Sequence, residues 1–142
     1  MPLNMDSIGL IFTYLAIFFG LLFIFTAMIG IPLSIILYLT FPKKIKEEFF
    51  ETSPDKTIRW AWDSYMAYYA FPGMVSMVTV VKTWKKVYSN HYDFKEKLSK
   101  RRLSFFRFYF YITAISIASG VLAGMLIVTV EALEYFDLIQ PI

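Results

Sequence analysis

Histidine occurs once in this sequence, at His91, two positions before Asp93, and with tyrosines at the interface these are the residues on which a membrane enzyme would draw for acid–base chemistry. Both residues fall in a polar run, Ser89 to Asp93, that reads as a turn, so a solvated imidazole is expected there rather than a pH sensor. A lone imidazole does not supply the paired axial ligands of a membrane haem or a multi-histidine metal centre. Cysteine is absent, which removes disulfides, thiolate metal sites and a cysteine nucleophile. No HExxH, GxSxG or phosphate-cradling glycine loop occurs. Base, nucleophile and stabiliser are not assembled. The expectation is a non-enzymatic chain with no catalytic, cofactor-binding or metal-binding residues.

Three other groups of residues have types and spacings with a physical use. Lys95, Lys97, Lys100, Arg101, Arg102 and Arg107 crowd a short stretch in which only Glu96 opposes them. Such a cluster attracts anionic lipid headgroups at about 1 kcal/mol per basic residue near the surface, or an acidic partner; its plainer role is to fix topology. Nucleic acid is not expected as a partner, because the charges hug the edge of an apolar segment. Ser116, Gly120 and Gly124 recur every four residues, with Ala114, Ala118, Ser119 and Ala123 close by. Small residues at that spacing flatten one helix face and let a second backbone approach. Trp60, Trp62, Tyr65, Tyr68, Tyr69, Trp84 and Tyr88 pair apolar rings with polar NH or OH groups, as suits a membrane–water interface. Anchors for a docked partner subunit are the alternative use of the same rings.

The elements that must carry these groups are apolar to an unusual degree. Hydrophobic residues make up 58% of the 142, above the roughly 45–50% of a soluble domain. They are also bunched. Residues 8–41 contain no Asp, Glu, Lys, Arg or His, whereas a spanning helix needs only about 20 mostly apolar residues. At about 1.5 Å per residue that run exceeds a hydrocarbon core of about 30 Å, so it must kink, tilt or protrude. Gly30-Ile31-Pro32 offers a kink, and Phe41-Pro42 a stop, with Lys43, Lys44 and Lys46 beyond as headgroup anchors. A cleaved signal peptide is not expected, since residues 1–7 hold Asp6 and no Lys or Arg, and the apolar run is too long. A second span is expected over 108–130, between Arg107 and Glu131, carrying Ser116, Gly120 and Gly124 in its interior. Neither span holds an ionisable group, whereas ion-coupled carriers and proton channels ordinarily keep one at membrane depth.

All 14 Lys and Arg lie between Lys43 and Arg107, and the flanks carry only Asp6, Glu131, Glu134 and Asp137. The positive-inside rule then places 43–107 in the cytoplasm and both tails, 1–7 and 131–142, outside. Within 42–107, Ser53-Pro54-Asp55 reads as a helix start. Ile58, Trp62, Tyr65 and Tyr69 share one face of that helix. Pro72-Gly73 is expected to end it. A second amphipathic helix should follow, with Met74, Met77, Val78, Val81, Trp84 and Tyr88 on its apolar side and Ser76, Thr79, Lys82, Thr83 and Lys86 mostly opposite. From Phe94 a helix is expected to run directly into the second span. The uncharged stretch 64–81 is read as an interfacial or re-entrant hairpin rather than a third span, because of its central Pro72-Gly73, its tyrosines and the charge asymmetry that a crossing would weaken.

These readings make an all-α integral membrane protein of the cell's plasma (inner) membrane, with two transmembrane helices joined by a cytoplasmic amphipathic helical hairpin. The expected function is that of a small non-enzymatic subunit or assembly factor in a larger membrane complex for transport, secretion or energy conversion, with lipids and other membrane subunits as partners. The alternative is a self-associating, holin-like pore packed through Ser116, Gly120 and Gly124.

Overall fold

A computed structural model describes residues 4–52, 67–81, 94–136 and 138–139. The described residues are all-helical, without strands. The helices are α1 (Met5–Leu39), α2 (Lys43–Thr52), α3 (Ala67–Val80), the single turn α4 (Phe94–Lys97) and α5 (Lys100–Tyr135).

Two of these helices are long and apolar enough to cross a membrane, α1 with 35 residues and α5 with 36. At about 1.5 Å per residue each is about 53 Å long, so each exceeds a hydrocarbon core even when tilted. Asp6 lies in the first turn of α1, where its charge suits the positive end of the helix dipole. Helix α1 passes through Gly30-Ile31-Pro32 without a break. It tightens at its end, where Phe41 N–H donates to the Tyr38 carbonyl at 3.2 Å, and Pro42 separates it from α2.

The chain divides into two compact units. In the first, residues 1–27 and 114–142, the α1 and α5 segments meet through small side chains. Gly9, Ala16 and Phe23 recur every seven residues on α1, and Ser116, Gly120 and Ala123 recur at spacings of four and three on α5. This alternation keeps one seam facing a neighbouring helix at a shallow crossing angle. A Cβ built on Gly120 would lie 2.9 Å from the Phe23 ring, and one on Gly9 would lie 2.7 Å from Ile139 Cδ1. Both glycines therefore leave room for a neighbouring side chain, the Phe23 ring at Gly120 and the end of Ile139 at Gly9.

In the second unit, residues 28–113, the core is a cluster of Leu37, Phe41, Phe71, Val75, Val78, Phe94, Leu98, Leu103, Phe106 and Tyr109. Its packing changes two sequence expectations about α3. The helix is continuous through Pro72-Gly73 instead of turning there, because Phe71 before the pair and Val75 and Val78 after it all enter one core. Burial on both sides of the proline offsets its lost hydrogen bond. Ser76 and Thr79, expected on a polar face, are 2% and 6% exposed. Their hydroxyls donate to the Gly73 and Val75 carbonyls of their own helix at 2.7 and 2.6 Å, which removes most of the cost of burying them. Over its described residues the α3 helix is thus covered on most sides, whereas Lys82, Thr83, Trp84, Lys86 and Tyr88 of the expected amphipathic helix lie outside the described residues.

A third difference lies at the entry to α5. The helix expected to run on from Phe94 stops at Lys97, bends at Leu98 and restarts at Lys100. Leu98 turns into the core, and the Ser99 hydroxyl accepts from Arg102 N–H at 3.4 Å, in the manner of an N-cap.

Candidate functional site

Among the described residues of the second unit, a cluster of rings forms around Phe41, which the sequence marks only as the end of a span. Its ring meets those of Phe71, Phe94 and Phe106 edge-on, with centroids 4.6, 6.3 and 5.8 Å away. Edge-to-face contact sets the positive rim of one ring against the negative face of another. Tyr38, one turn earlier, packs on Tyr68 at 4.7 Å and on Phe71 at 5.9 Å. Lys46 reaches back from α2 to lie 4.6 Å above the Tyr38 ring, its ammonium donating to the phenol oxygen at 3.4 Å. Together these contacts fix the end of α1 against α2 and α3.

Beside this cluster a crevice of about 360 Å³ opens between the last turns of α1 and the first turns of α5. Leu33, Ile36 and Leu37 form one wall, and Phe105 and Phe106 the other. Thr40, Ser99, Arg101 and Arg102 line its polar end. Arg102 donates through its guanidinium to the Thr40 carbonyl, one of the acceptors that a helix leaves unsatisfied at its C-terminus. Arg101 is exposed and forms no ion pair among the described residues.

The other basic residues of the cluster are not gathered here. Lys97 is 3.7 Å from Glu48 across partly exposed side chains, a pair of the kind worth about 0–1 kcal/mol. Lys100 and Arg107 are exposed on α5, and the Lys95 side chain lies outside the described residues. Among the interface aromatics, Trp60, Trp62, Tyr65 and Trp84 lie outside the described residues, as do His91 and the side chain of Tyr69. Of the small-residue stripe, Ser116 is buried and Gly120 lies against Phe23, whereas a Cβ on Gly124 would meet nothing within 4 Å. Gly20 on α1 is open in the same way.

The first unit holds its own crevice of about 340 Å³, where Thr13, Ala16 and Ile17 face Ile127, Val130, Glu131 and Glu134. Among the described residues no group of three or more His, Cys, Asp or Glu side chains is placed to hold a metal ion. Sequence reasoning missed the Phe41 cluster because a phenylalanine before a proline carries no signal beyond apolarity. No family model, curated protein or solved structure matches the chain.

Proposed function

We propose that this chain is an integral membrane protein of the plasma (inner) membrane that serves as a small non-enzymatic subunit or assembly factor of a larger membrane complex. The observation that carries the proposal is how little of the two long helices the chain itself covers. Only 11% of the most apolar window of α1 and 17% of that of α5 is buried. Phe18 and Phe25 on α1 are 59% and 62% exposed, and Ile117 and Met125 on α5 are 62% and 63% exposed. The core helix of a water-soluble protein hides such side chains, and a monomer in water rarely leaves so extensive an apolar surface bare. Hydrocarbon removes the conflict, since lipid tails are as apolar as the residues they meet.

The distribution of charge supports two crossings with both tails outside and residues 43–107 in the cytoplasm. A complex is favoured over a free-standing protein by Gly20 and Gly124, which leave room where a further helix can approach closely. The self-associating pore is less favoured, because part of the face it requires is occupied within the chain, by Phe23 on Gly120.

Extraction in a mild detergent followed by copurification and mass spectrometry tests the subunit reading. Stoichiometric membrane partners are expected. A lone monomer that retains nothing refutes it.

A further inference from the structure

We infer that the crevice between the end of α1 and the start of α5 is a binding site for one anionic phospholipid, its phosphate held by Arg101 and Arg102 and its glycerol and first acyl carbons laid along Leu33, Ile36 and Phe105. The site rests on the membrane reading above, and it goes beyond a general attraction of lysines and arginines to acidic headgroups.

The crevice has the composition of an amphiphile site. Its volume of about 360 Å³ lies within the roughly 300–1,000 Å³ of small-molecule sites. Its polar end carries two guanidinium groups, and no carboxylate among the described residues lines it. An anion there meets positive charge without competition from an acid among those residues. The apolar wall continues outward through Ile36 and Phe105, which are 55% and 46% exposed, so chains leaving the crevice run onto hydrocarbon-facing surface. A free phosphate ion uses only the polar end, whereas a phospholipid uses both.

Arg102 is held in place before any ligand arrives. Its bond to the Thr40 carbonyl occupies one of the five N–H donors of a guanidinium and leaves the rest in a fixed fork. Less conformational freedom is then lost when a phosphate oxygen binds. Arg101 is exposed and without an ion pair among the described residues, so it can close over the same phosphate. Lys97 is engaged with Glu48 and does not line the crevice.

Native mass spectrometry of the full chain in a neutral detergent, titrated with phosphatidylglycerol, phosphatidylcholine or inorganic phosphate, tests the site. One retained phosphatidylglycerol per chain is expected, with little phosphatidylcholine and no displacement by millimolar phosphate. Arg101→Gln should weaken retention about fivefold, corresponding to about 1 kcal/mol for one basic residue. Its exposed side chain makes this variant safe for folding, and Ile36→Trp, which fills the crevice from the apolar side, should reduce retention without altering charge. Lys43→Gln with Lys44→Gln removes two charges outside the crevice and should leave the bound lipid in place. Equal retention of both lipids, displacement by inorganic phosphate alone, or an equal loss in the lysine variant overturns the site. Failure of the membrane reading is distinguished separately, because a chain released from membranes by alkaline carbonate fails that reading whatever lipid it retains in detergent.

Discussion

Gly120 and Gly124 are four positions apart, yet substitution should separate them sharply. Leucine at 120 must displace the Phe23 ring, which already stands 2.9 Å from a Cβ at that position. Overpacking of this kind costs about 1–3 kcal/mol and should appear as a lower thermal midpoint in detergent. Leucine at 124 meets open space and replaces glycine with a better helix former, so the isolated chain should be no less stable, while any copurifying partner that uses this strip should be lost. Phe71 is fully buried against Phe41 and Tyr38, and Phe71→Ala should destabilise the chain by about 3–5 kcal/mol. Thr79→Val, in contrast, should change stability by about 1 kcal/mol or less, because the hydroxyl it removes bonds only to its own helix. Both are measured by unfolding in detergent followed by circular dichroism.

Among the helices, the two long ones were legible as long apolar helices from the absence of charge over their length. The first was expected to stop at Phe41 and the helix stops at Leu39; the second was expected over 108–130 and lies inside Lys100–Tyr135. The shorter elements were not legible, for a common physical reason. Pro72-Gly73 is a local signal for a turn, but residues from α1 and α5 that close the core around α3 are remote in sequence, and their packing outweighs it. The bend at Leu98 has no glycine or proline to announce it and arises because one leucine enters that same core. If Ser99 restarts α5 as its cap, Ser99→Ala should cost about 0.5–2 kcal/mol, and amide exchange should rise first at Arg101 and Arg102. The basic cluster was legible as a cluster. Which two of its members overlie an apolar cleft depends on where α1 ends and could not be read from spacing.

For the chain as a whole, the proposed topology makes a direct demand on accessibility. Single cysteines at Asn4 and Gln140 should react with a membrane-impermeant maleimide added to intact cells, and one at Asn90 should react only after permeabilisation. Labelling of Asn90 from outside would reverse the orientation and leave the two crossings intact. Six hydroxyls along α1 and the turn that follows it, and along α5, bear on a different property. Thr13, Thr26, Ser34 and Thr40 donate to carbonyls of Gly9, Leu22, Ile31 and Ile36, and Ser119 and Thr129 to those of Ile115 and Met125. Each has committed its single proton to the backbone behind it. With their protons committed, these six hydroxyls give water no relay to follow, so the purified chain in a planar bilayer should behave as an electrical insulator, its seal resistance indistinguishable from that of the lipid.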